Sequence, residues 1–200
     1  MLKSNRELRE IARSQLKGRW LEAVGFTFLY GILTAAASAV VGIGEFILGG
    51  PFTYGYYGYF SRKARGEEAQ IENLFEGFHR FGSAFLLFLL ETLFITLWLC
   101  LLIVPGIVKW FSYSMAFFIL RDNPNMSAID AITASRKMMK GYKGDLFGLY
   151  LSFIGWWFLS LFSFGIGYFW LAPYVSLSHA NFYEELKRQT DIKGADQLLN

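Results

Sequence analysis

Residues 103–118 read IVPGIVKWFSYSMAFF, and the reading of this stretch decides the fold. Val104, Pro105 and Gly106 have the composition of a tight turn. From Ile107 to Leu120 every residue is apolar or aromatic except Lys109, Ser112 and Ser114. Read as a turn followed by a helix, the stretch closes a hairpin with the apolar run before it, which extends from Phe81 and is broken only by Glu91. A helix needs roughly 20 apolar residues to cross about 30 Å of hydrocarbon, and the surrounding sequence offers more runs of that kind.

Working outward, charge-free runs cover Ala23 to Gly44, Phe46 to Ser61, Leu146 to Ser163 and Phe164 to Tyr183. With the two arms of the central hairpin they predict an all-α polytopic membrane protein of about six transmembrane helices in three hairpins. The runs at 46–61 and 105–120 are short and leave open whether those two cross fully. Composition agrees: hydrophobic residues are 54% of the 200 and charged residues 18%, where a soluble domain carries about a quarter, and mean hydropathy is +0.33. A net charge of +3, spread around apolar runs, gives no reason to expect nucleic acid. The single cysteine, Cys100, excludes an intramolecular disulfide and a cysteine metal site.

Basic residues set the orientation, because short loops rich in Lys and Arg stay inside. With both termini inside, the N-terminal segment to Arg19 and residues 62–80, 121–145 and 184–200 hold all of them but Lys109, which alone falls at the outer end. TAAASAV at 34–40 offers a small-residue pattern for a signal peptidase, but the region before it is long and acidic, so no cleavage is expected. The organisation repeats over 3–66, 67–125 and 126–188 within one domain of 1–200. Each unit is an amphipathic stretch with a Gly-bearing basic turn, then a hairpin. Ser4 with Glu7, and Ser127 with Asp130, have the spacing of helix N-caps. The amphipathic stretches are expected at the membrane interface, where Leu8, Ile11 and Leu16 would enter lipid and Arg6, Arg9, Arg13 and Lys17 would face its acidic headgroups. Small residues at Gly31, Ala35, Ser38 or Ala39 and Gly42, and at Gly148, Ser152 and Gly155, are expected to line packing seams.

Motifs for catalysis are missing: there is no HExxH, GxSxG or phosphate loop. Ionisable and polar residues within spans are functional candidates because burying them is costly. They are Glu91, Lys109, Glu45, His179, Asn181 and Tyr113. Lys109 would lie roughly 6 Å below the outer turn, with Glu45 as its only acidic partner at that level and Glu91 roughly 20 Å down.

The stretches GGPFTYGYYGYFSRKARGE, LFEGFHRFG, IVPGIVKWFSYSMAFFILRDNP, AITASRKMMKGYKGDLFGLYLSFIGWW and GIGYFWLAPYVSLSHANFYEEL resemble an uncharacterised family of bacterial integral membrane proteins, a domain of unknown function. The resemblance covers nearly the whole chain, and the family's PGI-x-K pattern falls on Pro105, Gly106, Ile107 and Lys109. That family is similar, distantly, to the membrane module of some glycerophosphodiester phosphodiesterases, whose hydrolase domain has no counterpart here. The resemblance implies residence in the bacterial cytoplasmic membrane and supplies no activity.

The function expected is non-catalytic: a lipid-interacting, scaffolding or accessory membrane protein, with no cofactor. Anionic lipids of the inner face are its partners, and a membrane-protein partner or a homo-oligomer is a further possibility. A small-solute or ion- or proton-coupled transporter is the alternative, with Glu91 as proton or cation site. An intramembrane lipid-modifying enzyme comes third.

Overall fold

The computed structural model describes residues 2–39, 43–163 and 165–193. Among them every regular element is helical: α1 (Asn5–Leu16), α2 (Trp20–Ala39), α3 (Ile43–Arg65), a 3₁₀ turn (Ile71–Phe75), α4 (Glu76–His79), α5 (Phe81–Leu101), α6 (Ile103–Tyr113), α7 (Ala116–Asp122), α8 (Ala128–Met138), α9 (Lys143–Leu151), α10 (Ile154–Phe162) and α11 (Ile166–Lys193). Ser4 caps α1 in a full capping box with Glu7, and Ser127 accepts the Asp130 amide at the start of α8. Both caps fall where the spacing puts them. Hydrogen bonds from the Ser4 hydroxyl and backbone hold the Glu7 carboxyl below its ordinary range.

Among the described residues four stretches are long and apolar enough to cross a membrane: Trp20–Ala39, Phe81–Cys100, Ile103–Asp122 and Lys143–Phe162. The fourth expected span is therefore among them. The expected second and sixth are not, although α3 and α11 run for 23 and 28 residues. Glycine, tyrosine and a basic C-terminus dilute α3, and α11 ends in a charged segment from Glu184. Exposed apolar side chains form a broad surface over the α5–α6 hairpin (Leu97, Leu102, Ile103, Val104), α10 (Trp156, Phe158, Leu161, Phe162) and the start of α11. An apolar surface of that extent belongs against lipid or another protein.

α3 is the central element, packed against α2, α4, α5, α7, α11 and the 3₁₀ turn. Glycine makes this possible at Gly55, where a Cβ would meet the carbonyl of Leu74, and at Gly77, where it would meet that of Pro51. The seams expected on the first and fifth runs are seen only in part: a Cβ at Gly148 would meet the Asn5 side chain of α1 at 3.0 Å, nothing lies within 4 Å of one at Gly31 or Gly155, and Gly42 lies outside the described residues. The small residues that matter are those of the helix buried on several sides, where backbones meet.

The amphipathic helices also differ from expectation. The stripe of α1 is covered by protein rather than turned to lipid: Leu8, Ala12 and Leu16 are buried, and α1 packs on α11, with further contacts to α3 and α9. α8 likewise buries Ala131, Ile132, Ser135 and Met138 against α5, α6 and α7. An apolar stripe states only that one face is covered, and helix packing covers it as well as lipid does.

Two of the spans are broken where no proline or glycine marks the place. Between α6 and α7, Ser135 of α8 accepts the Met115 amide (3.2 Å) and donates to the Ser112 carbonyl (2.8 Å). Between α9 and α10, the carbonyl of Ser152 accepts from Arg9 Nη1 at 2.9 Å, and the Arg9 guanidinium lies 5.7 Å from the Phe153 ring centre. Backbone groups freed inside hydrocarbon need partners from neighbouring helices, and both breaks have them.

Candidate functional site

The helix ends of α3, α7 and α11 meet in a charged cluster. Arg65 Nη2 donates to both oxygens of Asp122 (2.7 Å each) and Arg65 Nε to Glu184 (2.7 Å), while Tyr183 and Lys187 donate to Asp122 at 2.9 and 2.6 Å. Burial alone would lower the Arg65 guanidinium, but its hydrogen bonds to Asp122 and Glu184 raise it above the ordinary arginine range. Every group is satisfied, so this cluster ties helices together and offers no vacant acceptor.

A second assembly is different. Behind the α6–α7 break lies an enclosed cavity of about 60 Å³. Its wall takes Tyr57 from α3, Glu91 and Ile95 from α5, Trp110 and Tyr113 from α6, Ser114 at the break, Phe117 from α7, Tyr150 from α9 and His179 from α11. Glu91 Oε1 and His179 Nε2 are buried and have no hydrogen-bond partner. The Tyr150 hydroxyl lies 3.4 Å from the other imidazole nitrogen, and the rings of Tyr57, Phe118 and Tyr150 surround that imidazole at 6.0, 5.3 and 5.8 Å.

Three of the six sequence candidates, Glu91, His179 and Tyr113, thus line one cavity. The other three lie elsewhere. Asn181 donates to Gln15 (2.7 Å), which donates to the Ala64 carbonyl (3.0 Å), so it stitches α11 to α1 and α3. Glu45 accepts from Ser38 at 2.9 Å. Lys109 does not pair with Glu45: its ammonium stands 4.6 Å above the ring of Trp98, across the α5–α6 turn. A ring face so close satisfies the cation locally, and the acid has closed onto its own hairpin partner. Tyr57, Trp110 and Tyr150 were not singled out as site residues. The available signal was hairpin register: Glu91 and Tyr113 are equally distant from Leu102, which puts their neighbours in α6 at the acid's level.

A larger cavity, about 590 Å³, opens on the apolar surface between α1, α2, α10 and α11. Its walls are Trp20, Trp156, Leu159, Phe162, Trp170 and Leu171, with Ser160, Ser163 and Gly167 between them, and Arg13 and Tyr174 stand at its border. Trp20 and Tyr174 meet edge to face at 6.1 Å. Arg13 makes no ion pair among the described residues. Those residues also hold no group of three or more His, Cys, Asp or Glu arranged to take a metal ion.

The family model described as Protein of unknown function (DUF975) matches residues 1–112 and again 99–190. No curated protein and no solved structure matches the chain, and nothing links it to glycerophosphodiester phosphodiesterases.

Proposed function

Because the chain belongs to the DUF975 family of proteins of unknown function, no activity comes to it from a relative, and we propose from its own geometry that it is a non-catalytic membrane protein that binds an acidic phospholipid. The membrane is the bacterial cytoplasmic one, crossed several times with the basic loops inside. The observation that carries the reading is the groove of about 590 Å³, within the usual range for a ligand site of roughly 300–1,000 Å³. Its walls are hydrocarbon and indole, which suit an acyl chain, and the one charged residue lining it is Arg13. Charge complementarity selects the headgroup: an arginine without an acidic partner at the mouth of an apolar groove is matched by a lipid phosphate. Trp20 and Tyr174 beside it have the amphipathic rings that settle at headgroup level.

The test is native mass spectrometry of the protein extracted with its lipids, and then exchanged into nanodiscs of mixed acidic and zwitterionic phospholipid. Arg13→Gln should reduce retention of the acidic lipid about fivefold, the equivalent of about 1 kcal/mol for one basic residue at the surface. Leu159→Trp, which fills the groove, should reduce both lipid classes. Unchanged retention in both variants would remove the proposal. The transport alternative draws on a separate observation, the cavity at Glu91.

A further inference from the structure

We propose that the cavity at Glu91 is a binding site for one small ammonium-type cation, ammonium or methylammonium. Two of its lining residues each carry a buried polar atom without a hydrogen-bond partner, Glu91 Oε1 and His179 Nε2, and His179 as a whole is only 3% exposed. A buried polar atom left unpaired costs about 1–3 kcal/mol, and within hydrocarbon no bulk water stands by to satisfy it. Two such atoms on one cavity mark a place where a third group belongs.

The chemistry of that group follows from the walls. The carboxyl of Glu91 is the only acidic group on the cavity, and no Lys or Arg lines it. The remaining surface is largely aromatic, with the rings of Tyr57, Trp110, Tyr113 and Tyr150 converging on it. Aromatic faces attract cations within about 6 Å of the ring centre, so carboxyl and rings favour the same sign of charge. A volume of about 60 Å³ holds about two water-sized groups at roughly 30 Å³ each. That admits ammonium or methylammonium and excludes a quaternary ammonium or a metabolite of ordinary size.

Hydrogen-bond geometry separates ammonium from an alkali ion. An alkali ion needs a closed shell of oxygens, whereas one of the two unpartnered atoms here is an imidazole nitrogen. Ammonium brings N–H donors, and two acceptors face them. When His179 carries its proton on Nδ1 and donates it to the Tyr150 hydroxyl oxygen 3.4 Å away, Nε2 is left with a lone pair to offer a donor. The lipid groove shares no residue with this site, so the two stand or fall separately.

The experiment is thermal unfolding of the purified full chain in detergent, titrated with ammonium, methylammonium, sodium, potassium or tetramethylammonium chloride at constant ionic strength and pH. Ammonium and methylammonium should each give a saturable rise in Tm of roughly 5–11 °C at a hundredfold excess over Kd. The other three salts should give none. Glu91→Gln, nearly isosteric, should abolish the rise, whereas Arg13→Gln should leave it intact. Where Glu91→Gln yields no folded protein, Trp110→Leu serves instead: Trp110 is 44% exposed, and losing its ring should weaken Kd several-fold. Equal responses to all five salts, no response to any, or a response that survives these site variants would overturn the proposal.

Discussion

Replacing Asp122 with Asn keeps the shape of the side chain and removes the charge that Arg65, Tyr183 and Lys187 converge on. The Asp122 side chain is 8% exposed, against 25% for Arg65 and 37% for Lys187. Breaking a fully buried pair by removing one partner costs about 3–5 kcal/mol, while exposed pairs contribute about 0–1 kcal/mol. With the acid buried and its partners partly wet, the cost falls between, at about 2–3 kcal/mol. For a chain of this size each kcal/mol moves Tm by about 2–4 °C, so the expected fall is roughly 4–12 °C. Thermal unfolding followed by circular dichroism in detergent reads it directly. The control is Glu10→Gln, which breaks the Arg6–Glu10 pair on the open face of α1, where the side chains are 83% and 62% exposed, and it should leave Tm unchanged. If Asp122→Asn melted within about 1 °C of the parent, helix ends α3, α7 and α11 would not be held by this cluster.

Ser135→Ala strands the Met115 amide and the Ser112 carbonyl at the α6–α7 break. It should cost about 2 kcal/mol, and Ser135→Thr, which keeps the hydroxyl, should recover most of the lost Tm. Gly55→Ala drives a methyl into the Leu74 carbonyl and should cost at least about 1–3 kcal/mol. Gly31→Ala meets nothing and should be neutral or mildly stabilising, a contrast one melting series settles. Glu7 has a depressed folded-state pKa, so its capping contribution is complete above the ordinary value near 4.5 and is lost as pH falls through the folded value. Amide protection in the first turn of α1, taken relative to the intrinsic exchange rate, should therefore fall as pH drops below about 4.5, an effect absent in Glu7→Gln. Lys109→Met combined with Glu45→Gln should be additive within about 0.5 kcal/mol; a larger coupling would put the ion pair back.

The features legible in the sequence are local ones. Ser4 with Glu7, and Ser127 with Asp130, cap helices through contacts three residues apart, which spacing alone encodes. The apolar arms of the central hairpin follow equally from short-range pattern, but its turn falls at Leu102 and not at the expected Val104, Pro105 and Gly106, which lie in the first turn of α6, where proline is tolerated. What the sequence left open depends on which face meets which neighbour. The Leu8 and Leu16 stripe would look the same against lipid or against α11. Lys109 had a ring face four residues before the turn of its own hairpin, a neighbour as near as any acid and easier to reach. The cavity draws on α3, α5, α6, α7, α9 and α11, so Glu91 and Tyr113 were visible as oddities within apolar runs, while nothing local sets Tyr57 and Tyr150 apart from the other aromatic residues of their runs.

The Arg9 bond to the Ser152 carbonyl joins the first helix made to one completed 143 residues later. The carbonyl in the middle of segment 143–162 thus takes its hydrogen bond from an element far away in the chain. A tag or deletion that displaces α1 would then act at a distance, leaving the break between α9 and α10 without its partner while the neighbouring helices keep theirs.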